Sequence, residues 1–174
     1  IALLIIKGKD FVDGIEYVYK HIKGSCSMLL LTENGIIAAR DSWGRTPIVV
    51  GSKEGAMAVT SETTAFPNLG FETTYYVGPG EIVRIDEEQM EVLRPANLRM
   101  QVCSFLWVYY GYPSSSYEGI SVEKMRYNCG AKLADRDPVK PDIVAGIPDS
   151  GIAHAIGYAN RSGIPFSRPF IKYT

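Results

Sequence analysis

The sequence predicts an α+β first part, a sandwich-like β region under helical cover, joined to the opening of an α/β unit. Three observations carry this. A helical period occupies residues 11 to 22. Short apolar runs separated by glycine-containing turns fill residues 28 to 94, and beyond a polar stretch near residue 95 strand-like and helix-like segments alternate.

Ile1 to Ile6 reads as the end of a buried helix. Asp10 is placed to cap a second helix, whose apolar residues Phe11, Ile15, Val18 and Ile22 recur at i, i+4, i+7 and i+11, before Gly24 stops it. Asn34-Gly35 between Met28 to Thr32 and Ile36 to Ala39 is a strong hairpin signal, because both turn residues tolerate positive φ. Ile48 to Val50 and Ala56 to Thr60 flank another tight connection. Thr73 to Val77 and Glu81 to Asp86 read as a third pair, joined by Gly78-Pro79-Gly80 and followed by Met90 to Arg94. These strands are apolar on both faces, as sheets covered on each side require.

Pro95 to Met100 is polar and without period, which predicts a linker. The boundaries drawn are 1–95 for the first part, 96–120 for the linker and a first strand at Val102 to Tyr110, and 121–174 for the α/β part. Ser121 can cap a helix with Val122, Met125, Cys129 and Leu133 on one face. Asp142 to Ile147 reads as a buried strand, Pro148-Asp149-Ser150-Gly151 as a turn into a helix that ends at Gly163, and Pro165 to Tyr173 as the next strand. The first residue is not Met and the last run is a strand with nothing after it, so the reading predicts a piece of a longer protein.

Eighteen basic and nineteen acidic residues leave a net charge of −1 with no basic run. That argues against nucleic acid, whose phosphates demand clustered Lys and Arg. No apolar stretch approaches the roughly 20 residues of a membrane span. Three cysteines, Cys26, Cys103 and Cys129, form no C-x-x-C pair and no disulfide framework, which points to a reducing, cytoplasmic compartment. All three read first as small packed residues.

The sharpest chemical feature is the strand, Gly/Ser loop and helix start at 142–152. Such a loop presents backbone N–H groups beside the positive end of a helix dipole, which suits phosphate or diphosphate. On the residues alone the alternative is an ordinary turn with Asp149 or Ser150 as N-cap. Asp149, Ser150 and His154 do not make a hydrolase triad, because Ile147-Pro148-Asp149-Ser150-Gly151 is not a G-x-S-x-G elbow.

Five separated pieces resemble one family, glutamine phosphoribosylpyrophosphate amidotransferase (amidophosphoribosyltransferase). They are Arg40-Asp41-x-x-Gly44-x-x-Pro47, Thr60-Ser61-Glu62-Thr63-x-Ala65-Phe66, Val77-x-Pro79-Gly80-Glu81, Cys103-Ser104-Phe105-x-x-Val108-Tyr109-Tyr110, and Ile147-Pro148-Asp149-Ser150 with Ala155-Ile156-Gly157-Tyr158-Ala159 and Gly163-Ile164-Pro165. Their order and spacing agree over nearly the whole chain. The resemblance implies part of a class II, N-terminal-nucleophile glutaminase (an incomplete αββα sandwich) joined to the start of a type I phosphoribosyltransferase domain. It further implies transfer of glutamine-derived ammonia to phosphoribosylpyrophosphate, giving phosphoribosylamine for purine synthesis.

By the same resemblance the nucleophilic cysteine lies upstream of Ile1 and an Asp-Asp-Ser ribose segment lies downstream of Thr174, so this chain alone is expected to be inactive. Pro148, Asp149, Ser150 and Gly151 match the pyrophosphate loop, with Ser150 at a Mg²⁺ contact. Lys172 matches a lysine for feedback purine nucleotides. Cys103 matches the first ligand of the [4Fe–4S] cluster that some members carry, and the family's homo-oligomers imply self-association. Tyr173-Thr174 after Lys172, Tyr112-Pro113-Ser114-Ser115, and Thr46 before Pro47 depart from the family pattern. They leave open a nucleotide-sensing homologue without turnover. A sugar-phosphate aminating enzyme would share the glutaminase part but lack the Pro148-Asp149-Ser150 unit.

Overall fold

The computed structural model describes residues 1–173. Two compact units divide at Cys103 and Ser104. Together they make a mixed α/β chain.

The first unit begins with helices α1 (Ala2–Ile5) and α2 (Phe11–His21). Strands β1 (Met28–Thr32), β2 (Gly35–Ala39), β3 (Val49–Lys53) and β4 (Ala56–Thr60) follow, then the one-turn helix α3 (Ala65–Asn68). Strands β5 (Glu72–Tyr76), β6 (Ile82–Ile85) and β7 (Met90–Arg94) close it. One antiparallel sheet has the order β1-β2-β6-β7 and the other β4-β3-β5. Asp10 caps α2 through a 2.9 Å bond accepted from the Asp13 N–H, as its side chain and position predict.

Side-chain alternation sorts β2 between two layers. Ile37 and Ala39 meet Val12, Ile15 and Tyr19 of α2, while Ala38 turns to the other sheet, where Val83 and Ile85 pack on Ile48, Val50 and Val77. Complete burial of a residue such as Ile15 stabilises the unit by roughly 1.5–3 kcal/mol. On the outer face of the second sheet Phe66 covers Gly51, where a Cβ would stand 2.9 Å from its ring. The layers are helix, sheet, sheet and one helical turn.

Several expectations change here. Of Ile1 to Ile6 only Ile5 is buried; Leu3 and Ile6 are exposed. Phe11 is half exposed, because the buried stripe of α2 runs through Val12 and Ile15. Thr73 to Val77 and Glu81 to Asp86 are not a hairpin: β5 pairs with β3 and β6 with β2, so Gly78-Pro79-Gly80 crosses between sheets. Pro95 to Met100 is not a free linker. Asn97 donates its backbone N–H to the Pro79 carbonyl (2.7 Å) and its side-chain amide to the Ser42 carbonyl (3.0 Å), and Gln101 N–H reaches the Trp43 carbonyl.

A second crossover, Arg40 to Ile48, carries β2 of one sheet to β3 of the other. Arg40 and Asp41 are both buried within it. Arg40 donates to the carbonyls of Val77 and Gly44, each at 2.6 Å, so its guanidinium ties one crossover to the other. The Asp41 carboxylate accepts from Trp43 N–H (3.1 Å) and Thr46 N–H (2.9 Å), and the Asp41 carbonyl accepts from Gly80 N–H.

The second unit opens with a π-helical turn, Leu106–Tyr110. Strands β8 (Ser116–Tyr117) and β9 (Ile120–Ser121) and helix α4 (Val122–Ala134) come next, then β10 (Val144–Ala145), helix α5 (Ile152–Ser162) and β11 (Phe166–Ser167). β10 and β11 pair in parallel around α5, a small β-α-β unit. Both are far shorter than Asp142 to Ile147 and Pro165 to Tyr173 predict. The strand predicted over Val102 to Tyr110 is the π-turn instead: the Gly111 N–H returns to the Leu106 carbonyl (2.6 Å), and Trp107 is buried against Tyr117 and Val122. A short apolar aromatic run fits a strand or a buried helical turn equally well by period.

Ser121 caps α4 as predicted, but the buried face is Val122, Arg126 and Gly130, and Leu133 is exposed. α4 and α5 cross with their backbones in contact. A Cβ at Gly130 would collide with the His154 carbonyl, and one at Gly157 with the Tyr127 carbonyl.

Burial alone would push the Asp41 carboxyl up, but the N–H groups of Thr46, Arg45 and Trp43 outweigh it and hold it below the usual carboxylate range. Asp41 therefore adds stability above its unfolded pKa of about 3.9 and loses it as pH falls through the lower folded value. Asp41→Asn should cost about 2–4 kcal/mol at pH 7, since an amide would set a donor against the Thr46 N–H. The difference in urea midpoint between wild type and variant should shrink below about pH 4.

Candidate functional site

The loop between β10 and α5 is built by close backbone approach. Gly146 is buried, and a Cβ there would lie 2.9 Å from the Gly151 carbonyl; a Cβ on Gly151 would lie 2.7 Å from the Ile147 carbonyl. Larger residues would pry strand end and helix start apart. The Gly151 N–H closes the turn on the Ile147 carbonyl at 3.0 Å, and Ile152 N–H returns to the Asp149 carbonyl.

Gly151 is the N-cap of α5, and no side chain caps the helix. Of the two readings open on the residues alone, the Asp149 or Ser150 cap is therefore not the one formed. Asp149 is exposed, Pro148 and Ser150 are half-buried, and no hydrogen bond engages the Ser150 hydroxyl or the N–H groups of Asp149 and Ser150 among the described residues. An 11-residue helix adds its positive dipole end behind them. Chemically, this arrangement can accept an anion rich in oxygen acceptors.

Magnesium keeps most of its waters and needs only one or two protein oxygens beside those of a phosphate. Ser150 and Asp149 fit that sparse role. Among the described residues no three of His, Cys, Asp and Glu gather to cage a metal. A [4Fe–4S] cluster needs four thiolates, of which the exposed Cys103 could supply one among the described residues. Lys172 is exposed in the stretch after β11, outside regular structure. Thr174 lies outside the described residues.

Cys26 and Cys129 are half-buried. Burial pushes the Cys26 thiol up, with the Asp41 carboxylate adding to the rise, which disfavours a reactive thiolate. It lines a cavity of about 190 Å³ with Tyr19, Asp41, Ser42 and Trp43.

Sequence reasoning missed Arg126. Its buried guanidinium donates to the carbonyls of Trp107 (2.7 Å), Tyr109 (3.0 Å) and Gly111 (2.8 Å), and so holds the π-turn onto α4. Burial lowers its pKa. The available signal was an arginine four residues after Val122 and four before Gly130, alone in charge on that helical stripe.

No protein-family model matches the chain. It is 38% identical to the amidophosphoribosyltransferase of Bacillus subtilis over 175 residues, covering 99% of this chain and 37% of the relative. The Archaeoglobus fulgidus amidophosphoribosyltransferase is 35% identical (99% and 38%), and that of Methanocaldococcus jannaschii 33% (97% and 39%). The solved glutamine phosphoribosylpyrophosphate amidotransferase from B. subtilis, complexed with ADP and GMP, superposes with a TM-score of 0.87 at 35% identity, over 96% of this chain and 37% of that one. A structure described as the allosteric regulatory enzyme of purine biosynthesis gives 0.87 at 33%, over 99% and 40%. The chain is thus homologous along its length to amidophosphoribosyltransferases and spans about two fifths of theirs.

Gly151→Val should destabilise the second unit by about 1–3 kcal/mol, because its side chain must displace the Ile147 carbonyl. The urea midpoint followed by Trp107 fluorescence measures it.

Proposed function

We propose, from this homology, that the protein carrying this chain is an amidophosphoribosyltransferase, moving ammonia from glutamine to phosphoribosylpyrophosphate in purine biosynthesis. On this reading the first unit is part of a class II glutaminase sandwich. The second is the opening β-α-β unit of a type I phosphoribosyltransferase. The observation that carries it is the uncapped start of α5, with the free Ser150 hydroxyl beside it, in a chain homologous to these enzymes over 99% of its length.

In the transfer step the ammonia lone pair forms a bond to C1 of the ribose, the bond from C1 to the diphosphate oxygen breaks, and inorganic pyrophosphate departs with its electron pair. A proton leaves the new ammonium nitrogen. Negative charge grows on the departing diphosphate. The N–H groups of Asp149 and Ser150 and the α5 dipole face that charge, so they stabilise it more in the transition state than in the bound substrate. The Ser150 hydroxyl orients the same group. Bound Mg²⁺ would offset part of the diphosphate charge.

The same reading extends to Lys172 as a purine-nucleotide contact, a cytoplasmic location and a homo-oligomer. ADP and GMP in the B. subtilis complex support nucleotide regulation. Among the described residues no helix is long and apolar enough to cross a membrane.

Full-length protein supplied with Mg²⁺, phosphoribosylpyrophosphate and either glutamine or ammonium should release pyrophosphate. Ser150→Ala should raise the KM for phosphoribosylpyrophosphate by about tenfold, equivalent to a hydrogen bond to a charged group, with glutamine hydrolysis unchanged. Nucleotide binding without any pyrophosphate release would instead favour a sensing homologue.

A further inference from the structure

The π-turn is held by side chains from two helices, and no step of the transfer uses it. It is five residues long and bears the aromatic run Trp107 to Tyr110. Single π-turns arise where a sequence accepts a less favourable backbone for the sake of side-chain placement. Here two neighbours hold it. From α4, Arg126 grips the carbonyls of Trp107, Tyr109 and Gly111, three acceptors in one short stretch. From α5, the His154 ring lies 3.2 Å by its Nε2 from the Val108 carbonyl.

His154 stands three residues past Gly151, roughly 4.5 Å along the helix from the anion loop. The His154 backbone is also where α5 rests on Gly130 of α4. Arg126 and Gly130 are one helical turn apart on the same face of α4. Arg126, the π-turn, His154 and the first turn of α5 thus form a closed ring of direct contacts, and the loop at 148–151 hangs from one side of it. An arginine buried on a helix face is costly unless its donors find acceptors. Its three bonds all go to one turn, whose far side touches the helix that bears the loop.

We propose that Arg126 is a positioning residue for phosphoribosylpyrophosphate: by locking the π-turn against α5 it sets the angle at which the 148–151 loop meets the diphosphate. This rests on the transferase reading above and adds a residue that touches no substrate. Losing the grip would leave the helices packed through Gly130 and Gly157 but free the π-turn, so substrate binding should suffer more than folding does.

The test uses the full-length protein and its ammonium-dependent release of pyrophosphate. Arg126→Gln should raise the KM for phosphoribosylpyrophosphate about tenfold or more, with kcat within about threefold and glutamine hydrolysis unchanged. Trp107 emission should shift to the red as the π-turn loosens. Arg126→Lys keeps the charge but reaches fewer carbonyls, so it should give an intermediate rise of about threefold; it carries the test if the glutamine variant does not fold. An active wild type whose variants keep KM within twofold overturns the inference alone. So does a loss of kcat that tracks the loss of folded protein, with KM unchanged. A wild type that releases no pyrophosphate under any of these conditions removes the transferase reading, and the inference with it.

Discussion

Buried Arg40 bridges the two connections that join the sheets of the first unit. Two sheets that share no hydrogen-bonded strand pair are joined by two crossovers, and Arg40 is bonded to carbonyls in both. A buried guanidinium is destabilising until its donors find acceptors, and two of those acceptors are backbone oxygens that the crossovers leave outside either ladder. Asp41 completes the arrangement from the other sign, accepting the N–H groups that the same bend exposes.

The second unit solves a related problem by the same means. Arg126 again supplies guanidinium donors to carbonyls of a non-repeating turn. There it serves a segment that cannot pair in a sheet, and the α5 start remains without a side-chain cap. With glycine as its N-cap, that end is less stable than one capped by Ser, Thr, Asn or Asp by only roughly a few tenths of a kcal/mol. Leaving that end open keeps donors available, consistent with a site whose partner arrives from solution.

Much of the architecture could be read from residue order, and the failures have physical causes. Asn34-Gly35 gives its hairpin because the residue types dictate the turn and the flanking runs alternate correctly. Gly78-Pro79-Gly80 promises a turn with equal force, yet nothing local says which sheet receives the outgoing strand. The pairing of β6 with β2 is a long-range contact, as is the bond from Arg40 to the Val77 carbonyl, thirty-seven residues away. The aromatic run at 106–110 misleads because its period does not separate a strand from a buried helical turn, and the deciding contacts come from Arg126 and Ile120. At the candidate site, the glycines and the helix start were legible from composition. Whether Asp149 or Ser150 would cap α5 was not, since both roles draw on the same residue types.

The bare crossing of α4 and α5 has a mechanical consequence. Ordinary helix pairs meet through side chains, whose rotamers can absorb a small rotation like a cushion. At Gly130 and Gly157 there is no such cushion: main chain rests on main chain at two points, which define a line rather than a pivot. Tilting α5 about any other axis presses main chain against main chain, and the C-terminal ends of the two helices are tied again where Asp135 meets Arg161.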